Sequence, residues 1–125
     1  FTCLTNLCAA SKPMPMLIYK IFRGAEWANL QAKGTTKGAP IDLADGYVHF
    51  SGADTVAKTA ALYFADVPDL MLIAVQADGL DGLDWEISRG GASFPHLYRE
   101  LSMADVVWAK PLPIADGTHQ FPELS

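Results

Sequence analysis

The chain has few cysteines and no run of basic residues, and these two features exclude several kinds of site and partner. Cys3 and Cys8 are its two cysteines, so the body from Met16 onward has no thiol for a disulfide or a metal site. This usage favours a reducing compartment, and we expect a cytoplasmic location. The formal net charge is -5, without clustered Lys or Arg. We therefore expect neither duplex nucleic acid nor an anionic membrane as a partner.

Long hydrophobic runs are also missing. The longest strongly apolar stretch, residues 70–75, is strand-sized, whereas a membrane-spanning helix needs about 20 apolar residues. What is present is the composition of one globular domain: 125 residues, 50% hydrophobic and 18% charged. We assign the domain to residues 16–113. Residues 1–15 are interpreted as an extension outside the fold, and residues 114–125 as a loose C-terminal tail.

Apolar runs of strand length alternate with one strong helical period. Residues 16–22 predict a buried first strand, residues 25–32 a short helix, and residues 53–65 a longer helix. Residues 34–46 are rich in Gly, Thr, Asp and Pro, and they predict a long surface loop with one short extended piece. Residues 70–76 have the pattern of a central strand covered on both faces.

These elements predict an α+β fold with a mixed, mainly antiparallel split sheet and two helices. The closing strand, residues 106–112, is expected at an edge because its proline cannot donate a hydrogen bond to a neighbouring strand. The predicted core consists of Ile18, Val48, Phe50, Leu62, Leu72, Ile73 and Val107.

A short polar strand face is the first candidate site. In residues 47–51 the two-residue period of a strand places Tyr47, His49 and Ser51 on one face. The segment lies just before a predicted helix N-terminus, where free N–H groups favour anions, and His and Ser add donors for a ribose hydroxyl or a phosphate. The alternative is structural: His49 is a satisfied, half-buried histidine and Ser51 only caps the helix.

A second candidate site combines Glu86, His96 and Tyr98. A carboxylate, an imidazole and a phenol on adjacent segments can transfer protons, because a positioned His or Glu is the usual general acid or base. The alternative is that Trp85 is a core aromatic and that Glu86 only pairs with Arg89 on the surface.

Several common sites are not encoded. The three histidines form no i, i+4 pair and the body has no cysteine, so we expect no metal. Residues 78–82 lack the ligand pattern of a calcium loop and predict two turns. Neither a Walker motif nor a dinucleotide fingerprint follows a strand.

Six separated segments, taken in order, resemble the small bacterial family called domain of unknown function 952. The resemblance covers about residues 17–112, nearly the whole body. The segments are residues 18–21 (Ile-Tyr-Lys-Ile), 45–51 (Asp-Gly-Tyr-Val-His-Phe-Ser), 59–64, 70–75, 85–86 (Trp-Glu) and 94–98 (Phe-Pro-His-Leu-Tyr).

That family is similar, at a distance, to the ADP-ribosyltransferase fold and in particular to the RNA 2′-phosphotransferases. In those enzymes a split β-sheet grips NAD or the ADP-ribose portion of an intermediate. They also carry a strand with His followed two residues later by Ser or Thr, which His49 and Ser51 match. Near the first strand those relatives place an Arg-His pair or a His, and this chain departs from them with Tyr19 and Lys20.

The resemblance implies a nucleotide-binding domain with NAD or a related nucleotide as cofactor, and an activity related to ADP-ribosyl or phosphate transfer. The alternative is a non-catalytic module that binds a small molecule or a protein on the same scaffold. The sequence does not encode an oligomeric state. We predict one shared cleft with catalytic roles for His49, Glu86 and His96, and ligand contacts from Tyr47, Ser51, Tyr98 and a rim cation, Lys20 or Arg23.

Overall fold

A computed structural model describes residues 16–87 and 91–124. Its helices are α1 (Gly24–Lys33), α2 (Pro40–Asp45) and α3 (Val56–Tyr63), with a 3-10 turn at Met103–Asp105. Its strands are β1 (Leu17–Arg23), β2 (Thr35–Thr36), β3 (Val48–His49), β4 (Leu70–Gln76), β5 (Leu83–Ile87), β6 (Ser93–Leu97), β7 (Leu101–Ser102), β8 (Val106–Leu112), β9 (Ile114–Ala115) and β10 (Thr118–His119).

Every strand pair in these ranges is antiparallel. Two three-stranded sheets have the orders β1–β4–β8 and β3–β6–β5, and two short pairs join β2 to β7 and β9 to β10. An isolated bridge between Tyr19 and Ser51 connects the first sheet to the chain just after β3. The predictions of an α+β fold, a mainly antiparallel sheet and an edge position for β8 are confirmed, while residues 16–87 and 91–124 contain three α-helices instead of the predicted two.

The first sheet is apolar on both faces because β1 and β4 alternate between two hydrophobic clusters. From β1, Ile18 and Phe22 pack in one cluster, beside Leu30 of α1. Tyr19 and Ile21 pack in the other, which α3 covers. The prediction that residues 70–76 form a central strand covered on both faces is therefore confirmed.

The predicted core is correct except at two positions. Leu62 is 55% exposed on α3, and Val107 is 51% exposed on the edge strand β8. Helix α3 and edge strand β8 each bury only one side, and at these positions the side chain faces outward. Trp85 is also exposed, so its interpretation as a core aromatic is wrong.

Helix α2 corrects the prediction of a long surface loop. Pro40 stands at its first turn, and the carboxylate of Asp42 accepts a hydrogen bond from the Ala39 backbone N–H at 2.7 Å. Gly46 ends the helix with a φ of 87°, a conformation that favours glycine. The composition of the segment suggested a loop, but these start and stop signals were present within it.

Helix α3 is shorter than the predicted 53–65. It begins at Val56 after Thr55, whose side chain makes no capping hydrogen bond. Ser51 does not cap the helix either: its hydroxyl lies 3.0 Å from the hydroxyl of Thr59, and its backbone pairs with Tyr19.

The C-terminal residues contain the hairpin β9–β10, so the prediction of a loose tail over residues 114–125 is wrong at least to His119. His119 is buried, and its Nε2 lies 3.2 Å from the Val67 carbonyl oxygen. Phe121 and Leu124 pack against the cluster under α3. The division into residues 1–15, 16–113 and 114–125 stays a prediction. Within the described ranges, no helix is both long and apolar enough to cross a bilayer.

Candidate functional site

A cleft of about 380 Å³ opens where the two three-stranded sheets meet, beside the bridge between Tyr19 and Ser51. Strands β1, β3 and β6, the start of α2 and the end of α3 border it. Its polar and charged lining comprises Lys20, Arg23, His49, Ser51, Thr59 and His96, and its aromatic lining comprises Tyr19, Phe50, Tyr63, Phe64 and Phe94.

Lys20 is buried in the wall of this cleft and is not the rim cation that the sequence predicts. The strand period puts it on the same face as Ile18 and Phe22, so its ammonium points inward. The carboxylate of Asp42, also buried, lies 2.7 Å from its Nζ. Burial lowers the pKa of Lys20, and the charge of Asp42 offsets part of this effect.

Asp42 fixes His49 as well. Its Oδ1 accepts from the His49 backbone N–H at 3.0 Å and lies 2.5 Å from His49 Nδ1. Burial by itself would raise the pKa of Asp42, but the hydrogen bonds from His49 and the charge of Lys20 outweigh it, and the net pKa is lowered. The carboxylate is therefore ionised at neutral pH.

The other ring nitrogen of His49 also faces a carboxylate. Its Nε2 lies 3.0 Å from Oδ2 of Asp45, at the C-terminal end of α2. The two nitrogens of an imidazole can both donate hydrogen bonds only in the imidazolium form. Asp45 is exposed, and this second contact is open to exchange with a ligand.

Glu86, His96 and Tyr98 form a second network on the other sheet. Oε1 of Glu86 lies 2.6 Å from Nδ1 of His96 and accepts from the Tyr98 hydroxyl at 2.5 Å. These hydrogen bonds, that from Tyr98 foremost, lower the pKa of Glu86, and the same bond raises the pKa of Tyr98 to about 12. Glu86 therefore acts as an ionised acceptor and Tyr98 as a neutral donor. The alternative pairing of Glu86 with Arg89 lies outside the described residues.

The ring of Tyr47 joins the two networks. Its centroid lies 4.6 Å from that of His49, 4.3 Å from that of His96 and 5.1 Å from that of Tyr98. The two imidazoles are themselves 5.4 Å apart, edge to face. The structure thus places both histidines on one side of the core, as a shared cleft requires.

Tyr47 and Tyr98 line a second cavity of about 340 Å³, together with Lys37 and Arg99. Asp42 borders this cavity, whereas His49 and His96 border the first. The predicted residues are therefore divided between two cavities, except Glu86, which lines neither of them. Their assigned roles in catalysis and binding stay predictions.

Arg23 is the exposed cation of the first cleft. Its guanidinium lies 5.2 Å from the ring centroid of Phe64 and 3.4 Å from Oε2 of Glu26. An exposed ion pair of this length contributes little stability, so an incoming anion can compete for Arg23. Of the two predicted phosphate contacts, Arg23 remains available, because Lys20 is committed to Asp42.

Sequence reasoning missed Asp42 and Asp45, since it interpreted their segment as a loop. Two signals could have found them. Pro40 followed two residues later by an acidic residue marks a helix start, and a buried lysine on an apolar strand face needs a carboxylate partner. Over residues 16–87 and 91–124, no group of three or more His, Cys, Asp or Glu side chains is arranged to hold a metal ion.

This protein is therefore of the antiparallel α+β class, with two neighbouring histidines where its two three-stranded sheets meet. The chain belongs to the family of proteins of unknown function DUF952, whose model matches residues 21–109. This confirms the family predicted from the sequence.

Among solved structures, the chain is similar to protein CC0527 from Caulobacter crescentus. The crystal structure of CC0527 is 46% identical, with a TM-score of 0.79, and the alignment covers 83% of this chain and 93% of that chain. Its solution NMR structure is also 46% identical, with a TM-score of 0.75 and coverage of 83% and 91%. No curated protein matches this chain.

Proposed function

We propose that the cleft binds a nucleotide of the NAD or ADP-ribose type. The observation that carries this proposal is the convergence of His49, His96 and Ser51 on one cleft with an exposed arginine at its edge. Small-molecule sites are concave and mostly apolar, with a few convergent polar groups, and typically measure about 300 to 1,000 Å³. At about 380 Å³ the cleft suits a single nucleotide or one half of a dinucleotide.

Each part of such a ligand has a matching group. Arg23 is available to a phosphate, since its pair with Glu26 is exposed. The hydroxyl of Ser51 and the imidazoles suit ribose hydroxyls. Tyr63 and Phe64, where α3 ends, supply aromatic surface against which a base can stack.

A distant relation to the ADP-ribosyltransferases is part of this proposal. The split antiparallel sheet and the pair His49 and Ser51 support it, and an activity at the ribose would follow from it. A binding module without catalysis would take up the same ligands but release no product.

Calorimetric titration with NAD, ADP-ribose and AMP tests the proposal. We expect at least one to bind, and Arg23→Ala to weaken it by about ten-fold, because charge-assisted hydrogen bonds contribute about 1.5 to 3 kcal/mol. Lys33→Ala is the matched control, since it removes one exposed positive charge at the far end of α1. Equal loss in both variants, or no binding of any nucleotide, would refute the proposal. Release of nicotinamide from NAD would separate an enzyme from a binding module.

A further inference from the structure

We propose that His96 and His49 act as a general base and a general acid that hydrolyse a singly charged phosphodiester of ribose, such as a ribose 2′,3′-cyclic phosphate. This inference rests on the proposed nucleotide site and assigns it a reaction and a substrate class. It depends on the different hydrogen-bond partners of the two imidazoles.

His96 has the arrangement of a base. Ionised Glu86 accepts a hydrogen bond from Nδ1, so the neutral ring is held as the tautomer with an unprotonated Nε2. Among residues 16–87 and 91–124, no hydrogen bond occupies this Nε2. The His96 side chain is only 6% exposed, and what remains accessible lines the cleft. A carboxylate that orients an imidazole, with the second nitrogen free for substrate, is the arrangement of many hydrolytic bases.

His49 has the arrangement of an acid. Carboxylates of Asp42 and Asp45 face its two nitrogens, which can both donate only when the ring carries the proton that an acid must supply. The Nε2 proton is the transferable one, because exposed Asp45 can give way to a substrate oxygen. The ring centroids lie 5.4 Å apart, edge to face, and both residues line the first cleft, so one small group bound there can contact both imidazoles.

The reaction balances in protons and bonds. His96 takes a proton from water, whose oxygen forms a bond to phosphorus. The bond from phosphorus to one ribose oxygen breaks, and that oxygen takes a proton from His49. A phosphate monoester and a free hydroxyl result, and exchange with solvent resets both rings.

Charge selects the substrate class. Lys20 is neutralised by Asp42, so Arg23 and protonated His49 are the positive groups left to a ligand, and each already faces a carboxylate. Such a site suits one negative charge better than two. An alkoxide leaving group, unlike nicotinamide, also requires the proton that His49 can supply.

Incubation of the full chain with adenosine 2′,3′-cyclic phosphate, followed by chromatography of the AMP products, tests the inference. We expect turnover with a bell-shaped pH profile, because a general base acts in its unprotonated form and a general acid in its protonated form. The charged and titratable groups facing the two rings are Lys20, Asp42, Asp45, Tyr47, Glu86 and Tyr98. His96→Ala should lower kcat by about 100-fold or more, with little change in calorimetric affinity.

Glu86 is a positioning residue, and its variants provide a test that leaves the buried ring in place. Glu86→Gln keeps an acceptor for Nδ1 and should retain much more kcat than Glu86→Ala, with similar KM in both. Lys33→Ala should match the wild type. Binding of the cyclic nucleotide without turnover, or full activity in Glu86→Ala, would overturn this inference and leave the proposed binding function intact. Absence of binding by every nucleotide would overturn both.

Discussion

The two histidine–carboxylate pairs of the cleft are opposite in their burial. In the first pair the carboxylate is inside: the side chain of Asp42 is 0% exposed and that of His49 is 27% exposed. In the second pair the histidine is inside, with His96 at 6% and Glu86 at 42%. The same two functional groups are therefore held by different physical means.

The difference in burial gives the two carboxylates different roles: Asp42 stabilises the fold, and Glu86 orients neighbouring side chains. Asp42 neutralises buried Lys20 and accepts a hydrogen bond at the start of α2, so the fold requires it whether or not a ligand binds. Glu86 is solvated and has no buried charge to compensate, and its hydrogen bonds orient His96 and Tyr98. We infer that substitution of the first carboxylate strongly destabilises the fold and that substitution of the second has little effect on stability.

The largest expected effect is that of Asp42→Ala on the free energy of unfolding. Its removal leaves Lys20 buried without a partner, and breaking such a pair costs about 3 to 5 kcal/mol. Urea unfolding followed by circular dichroism measures this loss. Asp45→Ala, which removes the exposed partner of the same histidine, is the control and should cost less than about 1 kcal/mol. Equal losses would abolish the distinction between buried and exposed carboxylates.

Acid should reveal the same asymmetry. Because the folded-state pKa of Asp42 lies below its ordinary value of 3.8, its stabilisation is complete above that value and is lost as pH falls through the folded-state pKa. Unfolding free energy measured from about pH 6 down to about pH 2 should fall more steeply for the wild type than for Asp42→Asn, whose amide does not titrate. Parallel curves would show that Asp42 is not the group responsible.

Much of the fold was predictable from the sequence, because the bounds of a helix or a strand depend mainly on residues that are close together in the chain. The apolar run of β4 and the pattern of α1 are set by residues a few positions apart. The strand was predicted with its observed bounds, 70–76, and the helix, 25–32, within one residue at each end. Leu62 and Val107 were placed in the core in error, since apolarity does not show which side of an element faces inward. The hairpin after Leu112 was missed because its packing under α3 depends on distant contacts.

The site was predictable only in part for the same reason. The strand period correctly grouped His49 with Tyr47, and the resemblance to DUF952 pointed to the segment containing His96. The ion pair of Lys20 with Asp42 was not predicted, because Asp42 lies on a helix whose composition is typical of a loop. Contacts between two elements depend on the three-dimensional structure, whereas periodicity within one element is present in the sequence.

A smaller effect is expected at the exposed partner of His49. Asp45 occupies the Nε2 position that an anionic ligand would take, so Asp45→Asn should tighten AMP binding. The gain should be about two- to five-fold, since an exposed ion pair is worth at most about 1 kcal/mol. Calorimetry measures it, and Asp116→Asn, an equal charge change in the distant hairpin at a positive φ that Asn tolerates, is the control. Equal or weaker binding by Asp45→Asn would contradict this role.

The smallest expected effect concerns the hydrogen bond between Tyr98 and Glu86. The hydrogen bond to Glu86, foremost, raises the pKa of Tyr98 from 10.0 to about 12. The phenol of Tyr98 therefore stays protonated to a higher pH in the folded state than in the unfolded state. Its contribution to stability is complete below the unfolded-state pKa and is lost as pH rises through the folded-state pKa. Phenolate absorbance of the wild type minus that of Tyr98→Phe isolates this step among the four tyrosines. Glu86→Gln should move the step back toward 10.0, because the amide offers a weaker, uncharged acceptor. A step near 10.0 already in the wild type would mean that Glu86 does not hold Tyr98, and the orientation of His96 by the same oxygen would then lose its support.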